Sequence, residues 1–341
     1  MSELRYNPLD ASWVLVSEER GRRPSDFKPF ETAVVDRTVQ PCPFCLIMSG
    51  DGAARVVGEY RTADDRALAV ANLYPALRIE VPETRHAVGP WDAASGVGAH
   101  EVIIETCHHD TAFRDLPVDA ATAILRLWRD RGADLNRDRR MRWVTIFRNE
   151  GPEAGATLEH AHSQVLATPV WPPRLGQIYH SAETHYRHKE RCLTCDIIEF
   201  ERSTGTRVVA TDGDFVAFCP YASRHAFEVW VAPIAHDAIF TRVDDQQLKI
   251  LAGLIQRVLK LVHLATHGAP VNLAVHTAPN ADAYGHRDMS GLGAFWHWCI
   301  ELIPRTHRYG GLEIGSGLIV NPTAPEAAAA HLRKLDAKAD L

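Results

Sequence analysis

The chain has 341 residues, 46% hydrophobic and 23% charged, which is enough to bury a substantial core and to build about two domains. A net charge of −6 excludes a protein that wraps nucleic acid, because such binding is driven by Lys and Arg neutralising phosphates; a few local arginines still suffice for a small anionic ligand. No apolar run approaches membrane-spanning length, and Met1-Ser-Glu-Leu-Arg-Tyr6 lacks the apolar core of a secretion signal, so the expectation is a cytoplasmic protein with reduced thiols and no membrane partner.

In chain order, residues 13–17 predict a short strand, followed by the turn Arg20-Gly-Arg-Arg23-Pro24. Arg20 and Arg23 there either clamp phosphate oxygens or belong to a solvated basic turn. A loop closed by Pro41 leads into Cys42. Runs 66–71 and 101–105 predict strands around a surface loop at 87–98, and Pro117 opens a helix over 119–130 with Ala120, Ala123, Ile124 and Leu127 on one stripe. Strands follow at 143–147 and 160–166, separated by a glycine-bearing loop. Further strands are predicted at 208–211, 215–219 and 228–231. The capping box Asp244-x-x-Gln247 then opens a long helix with Leu248, Leu251, Ile255, Val258 and Val262 on its core stripe. Strands at 271–276 and 295–303 and an Ala-rich helix over 325–341 complete the chain. Each half therefore reads as antiparallel strands with one long helix, an α+β pattern.

The halves also repeat. Glu101-Val102-x6-His109-Asp110-x2-Phe113 recurs as Glu228-Val229-x6-His236-Asp237-x2-Phe240, an offset of 127 residues throughout (101 to 228, 109 to 236, 113 to 240). Cys42-Pro-Phe-Cys45 precedes the first copy and Cys192-Leu-Thr-Cys195 the second, while His160 and His297 follow. Two sets in the order Cys, Cys, His, His predict two zinc sites, Cys42/Cys45/His109/His160 and Cys192/Cys195/His236/His297, rather than incidental buried cysteines. With four protein ligands each, both ions are structural. Cys107 and Cys219 read as buried small hydrophobes.

Only the first half continues into chemistry. On a strand, His160, His162 and Gln164 share a face; with His160 on the metal, His162 points into a cleft. The bland alternative is a pair of half-buried strand histidines. Upstream, Asn149-Glu-Gly151-Pro-Glu-Ala-Gly155-Ala-Thr157 is a loop whose N–H groups and Thr157 hydroxyl suit a phosphate. A neutral imidazole is a competent nucleophile towards phosphorus, which assigns the chemistry to His162. His276 is more simply a strand-filling residue.

These motifs resemble the galactose-1-phosphate uridylyltransferase family of the histidine triad superfamily over nearly the whole chain. Arg5-Tyr-Asn-Pro-Leu9, Trp13-Val-Leu-Val-Ser17 and Arg20-x-x-Arg23-Pro24 look like its N-terminal signature, and Asn149-x-Gly151-x-x-x-Gly155-x-Thr157-x-x-His160-x-His162-x-Gln164 like its active-site signature. The resemblance implies two tandem histidine-triad-like halves, 1–175 with nucleophile and zinc site and 176–341 with a second zinc site and a sugar-binding tail. It implies nucleotidylation of His162, with Gln164 donating to a phosphate oxygen. Arg20, Arg23, Asn72, Asn149, Gly155 and Thr157 are implied in substrate and phosphate binding, and Glu313 and Asn321 in hexose recognition. The expected partners are a nucleoside diphosphate sugar and a hexose 1-phosphate, the context galactose metabolism, and the assembly a homodimer. In its simplest form UDP-glucose donates to galactose 1-phosphate. Leu73 follows Asn72 where uridylyl-specific relatives carry an acid, Ser163 follows His162, and the zinc-type second site with Cys299 beside it is shared with ADP-glucose phosphorylases. The alternative is therefore ADP-glucose as donor and inorganic phosphate as acceptor. A zinc- and nucleotide-binding protein without turnover is the remoter reading.

Overall fold

A computed structural model describes residues 2–18, 41–283 and 291–339; the turn carrying Arg20 and Arg23 lies outside them. Strands β1 (Glu3–Asn7) and β2 (Ser12–Val16) form a hairpin. Pro43, pre-set for a helical first turn, starts α1 (Pro43–Ser49) directly after Cys42, and Gly50, left-handed at φ 91°, ends it. There follow β3 (Val56–Arg61), β4 (Arg66–Ala71), an exposed ribbon of β5 (Arg85–Val88) and β6 (Trp91–Ala94), β7 (Ala99–Ile104), α2 (Val118–Leu135), β8 (Trp143–Glu150) and β9 (His162–Thr168). Beyond them lie α3 (Pro173–Lys189), α4 (Leu193–Thr204), β10 (Val208–Asp212), β11 (Phe215–Phe218), β12 (Val229–Pro233), α5 (Asp245–Ala265), β13 (Val271–His276), α6 (Leu292–Phe295), β14 (Cys299–Pro304), α7 (Gly311–Ser316), β15 (Ile319–Asn321) and α8 (Pro325–Ala339).

The fold is α+β with antiparallel pairing throughout its main sheet, whose ten strands run β10-β11-β12-β14-β13-β8-β9-β7-β4-β3. Five strands on each side meet where β8 pairs with β13, from Val271 opposite Glu150 to Val275 opposite Ile146. Helices α2 and α5 bury their apolar stripes together on one face: Ala121, Ile124 and Trp128 share a core with Leu251, Ile255 and Val262. The predicted capping box forms, with the Gln247 N–H donating to Asp244 Oδ1 at 2.8 Å and the Asp244 N–H to Gln247 Oε1 at 3.3 Å. The opposite face carries the cysteine-bearing helices α1 and α4.

Helices α3 and α4 have no counterpart in the sequence expectations, the loop expected at 87–98 carries the β5–β6 ribbon, and three further departures bear on the site. The strand expected from residue 160 starts at His162, because His160 is turned out of the ladder. The strand expected from 295 starts at Cys299, because Leu292–Phe295 first makes a helical turn that buries Phe295. The third concerns the repeat. Gln164 and Glu301 each stand four residues past a metal-ligand candidate, His160 and His297; Gln164 pairs with Val102, whereas Glu301 pairs with Trp230. The strand equivalent of Val102 is thus Trp230, and that of His100 is Glu228. The matched Glu101 and Glu228 are one residue out of register, and the slip is absorbed before His236. Since a one-residue slip reverses the face, Glu101 points towards α2 and pairs with Arg131 at 2.7 Å, while Glu228 holds the loop after β11 by accepting from the Arg224 N–H at 2.7 Å.

Although β1 and β2 come first in the chain, they sit against the second half: β2 pairs in parallel with β15, and Leu9 packs with Leu193, Phe218, Trp230 and Cys299.

Candidate active site

The eight predicted ligands gather into two groups, Cys42, Cys45, His109 and His160, and Cys192, Cys195, His236 and His297, each with its ligand atoms within 4.8 Å of one another. Cys45 Sγ is 3.4 Å from Nδ1 of both His109 and His160, and Cys195 Sγ is 3.1 Å from His236 Nδ1 and 3.3 Å from His297 Nδ1. These separations are close to the tetrahedron edge of about 3.5 Å expected from zinc–sulfur and zinc–nitrogen bond lengths. The outer contacts agree. His160 Nε2–H donates to Thr106 O (2.8 Å), His236 Nε2–H to Gly293 O (2.7 Å) and His297 Nε2–H to Pro233 O (3.0 Å), which leaves each Nδ1 lone pair facing the thiols. Burial lowers the basicity of His160, keeping it neutral as a ligand must be, and the Cys195 thiol, donating to Cys192, holds the Cys192 thiol well below its ordinary value against burial. Both groups fit a tetrahedral metal ion.

His162, at the start of β9, is 6% exposed and follows directly from the first cluster. Its Nδ1 lies 2.9 Å from the His160 carbonyl. A carbonyl only accepts, so Nδ1 carries the proton and Nε2 presents its lone pair. Phe44 from α1 packs edge-on against the ring at 5.1 Å between centroids and fixes its plane. His162 and Gln164 open onto a cavity of about 290 Å³ whose walls include Phe44, Ile47, Val70, Val102 and Leu158, with Asn72 and Thr157 at its margins. The face alternation expected for β9 holds: Ser163 points the other way and accepts from Trp128 Nε1 at 2.7 Å.

The remaining predicted residues divide. Gly151, at φ 87°, leaves no space for a side chain, since a Cβ would meet Pro270 at 2.8 Å. The amides of Ala154, Gly155 and Ala156 donate to Gly151 O and Pro152 O within the loop, so they do not form the expected phosphate cradle. Asn149 Oδ1 accepts from Asn272 Nδ2 (2.8 Å), which also donates to Ala154 O (2.7 Å), so β13 secures the loop from across the junction of the halves. Glu313 caps α7 by accepting from the Gly310 N–H and lines a separate cavity with His307 and Pro322. Asn321 is fully buried and donates to the Ser223 and His225 carbonyls, a structural contact away from the His162 cavity. Neither of these two residues is brought to His162.

In the second half the position matching His162 is Cys299, buried against Leu9 and Trp230, where desolvation raises its thiol. The Gln164 position is Glu301, fully buried between Arg174 (2.7 Å), Arg224 and His276 (3.3 Å). Burial opposes its charge, yet Arg224 and Arg174 hold it well below the usual carboxylate range. His276 is thereby a buried partner of Glu301, not a cavity residue.

One residue escaped the sequence reading. His100, which precedes Glu101, puts Nε2 2.7 Å from Gln164 Oε1 and receives the Ala76 N–H on Nδ1 at 3.1 Å. The apparent match of Glu101 with Glu228 drew attention one position too far along.

Comparison with known proteins finds relatives that span nearly the whole chain. ADP-glucose phosphorylase of Arabidopsis thaliana is 28% identical over 98% of this chain and 93% of its own length. Galactose-1-phosphate uridylyltransferase of Thermotoga maritima is 28% identical over 98% and 99%. A crystal structure of the Arabidopsis thaliana ADP-glucose phosphorylase with bound ADP-glucose superposes with a TM-score of 0.80 at 25% identity, covering 98% of this chain and 99% of that one. Fold and relatives together make the protein a nucleotidyltransferase. Residues 1–172 match the family described as galactose-1-phosphate uridyl transferase, N-terminal domain, and the chain belongs to the galactose-1-phosphate uridylyltransferase family.

Proposed function

We propose that the protein transfers a nucleotidyl group through a covalent nucleotidyl-His162 intermediate. The supporting observation is the donation of His162 Nδ1–H to the His160 carbonyl, which leaves Nε2 as the lone pair beside the cavity. Nε2 attacks the α-phosphorus of a nucleoside diphosphate hexose, the bond from that phosphorus to the bridging oxygen breaks, and hexose 1-phosphate departs with the electron pair. A phosphate oxygen of the second substrate then attacks the same phosphorus and displaces Nε2. Gln164 donates its amide to a non-bridging oxygen as charge redistributes. Cys42, Cys45, His109 and His160 would hold one zinc and Cys192, Cys195, His236 and His297 a second; with four protein ligands to each, the ions would supply scaffolding.

The assigned reaction is transfer from UDP-glucose to a hexose 1-phosphate, galactose 1-phosphate in the simplest case. A second reading, ADP-glucose as donor and inorganic phosphate as acceptor, is supported by Leu73 after Asn72 and by a cavity wall that carries no acidic residue among the described ones. Arg20, Arg23, Asn72 and Thr157 serve the phosphates and nucleoside in both. Mixing the protein with each sugar nucleotide and measuring its intact mass separates them: a uridylyl adduct supports the first, an adenylyl adduct the second. Binding of either without an adduct overturns the covalent mechanism.

A further inference from the structure

We propose that His100 is a positioning residue that sets which way round the Gln164 amide faces, and with it the donor offered to the transferred phosphate. The inference rests on the proposed role of His162 and Gln164 and extends it to a residue outside the predicted set.

The tautomer follows from the partners. The Ala76 main-chain N–H, 3.1 Å from His100 Nδ1, can only donate, so Nδ1 carries no proton. In a neutral ring the proton then sits on Nε2, which lies 2.7 Å from Gln164 Oε1. Asn72 Nδ2 is about equidistant from the two ring nitrogens, at 3.4 and 3.3 Å, and does not choose between them. A glutamine amide left alone has two nearly equivalent orientations. Facing an N–H donor, only one is allowed: Oε1 turns to His100 and the NH2 group is left for the cavity that Gln164 shares with His162. In the reverse orientation a carbonyl lone pair would meet the phosphate oxygens and repel the charge that accumulates there.

The second half provides an internal control. Glu228 occupies the register position of His100 and likewise accepts from a main-chain amide earlier in the chain, Arg224 N–H at 2.7 Å. Loop anchoring therefore needs only an acceptor. Only in the first half does this position face an amide rather than the carboxylate Glu301, and a carboxylate there would hold the Gln164 amide the wrong way round.

The test compares His100→Glu, which keeps the loop acceptor and removes the donor, with His100→Gln, which supplies both. Single-turnover formation of the His162 adduct should fall about 10²-fold in His100→Glu, the typical loss for one oxyanion donor. His100→Gln should recover to within about tenfold of wild type, with KM for the sugar nucleotide nearly constant in both. In a Gln164→Ala background His100→Glu should add no further loss. Equal rates in all three proteins, or a His100→Glu defect that persists without Gln164, overturn the proposal. Imidazole 15N resonances of the free protein test it independently of turnover: a proton on His100 Nε2 is required, and one on Nδ1 refutes it even if no adduct forms. A wild type that forms no adduct, with the Nε2 tautomer intact, refutes the covalent mechanism instead.

Discussion

His162 Nδ1 is bonded at 2.9 Å to the main-chain carbonyl of His160, whose own ring faces the thiols of Cys42 and Cys45. The candidate metal ligands and the proposed nucleophile are therefore two residues apart and mechanically linked. Cys42→Ser is expected to lose one equivalent of zinc by elemental analysis. It should lose about 3 kcal/mol of stability if the ion normally stands near a hundredfold above its dissociation constant. Adduct formation should fall with the metal content across a chelator titration.

Replacing the nucleophile separates chemistry from folding. His162→Ala should form no adduct with any sugar nucleotide yet keep both zinc equivalents and its melting temperature within a few degrees, because the ring borders a cavity. Gln164→Ala should still form the adduct, about 10²-fold to 10³-fold more slowly. Intact mass at timed quenches reads both.

Glu301 anchors a buried ion-pair network and so tests stability. Glu301→Gln keeps the shape and leaves Arg174 and Arg224 facing a neutral group, which should cost about 3 kcal/mol, as when one partner of a buried ion pair is removed. Urea unfolding measures it, and a cost below about 1 kcal/mol would contradict the buried-pair account.

His225 makes the stability pH-dependent. It is 1% exposed, and burial reinforced by Arg224 pushes its pKa down to about 3 from the ordinary 6.5. Above 6.5 it is neutral whether folded or unfolded. As pH falls from 6.5 towards 3 the unfolded chain takes up a proton that the folded one refuses, so stability declines by about 1.4 kcal/mol per pH unit from this group. The difference between wild type and His225→Phe in unfolding free energy, measured at several pH values, should carry that slope and level off to a constant above pH 7.

The cysteine pairs were legible because metal ligation constrains residue type, order and spacing at once, and β9 because alternation dictates which side chains share a face. Asp244 and Gln247 were legible because a cap is a local interaction. Four features were not: the β8–β13 junction, Leu9 crossing to the second half, the slip that aligns His100 with Glu228, and the burial of Asn321. Each depends on pairing between segments far apart in the chain, where sequence similarity is a poor guide to register. The Glu-Val match was coincidental, and only the hydrogen-bonded ladder exposed it.

The junction at β8 and β13 makes the two copies inseparable. Cutting the chain between them would bare the main-chain donors and acceptors of β8 along an open edge, an invitation to aggregate. It would also take away Asn272 and Pro270, which brace the loop before the nucleophile. The copy whose nucleophile position is a buried cysteine is thus the abutment of the working one, free to drift at its own centre but not along the seam.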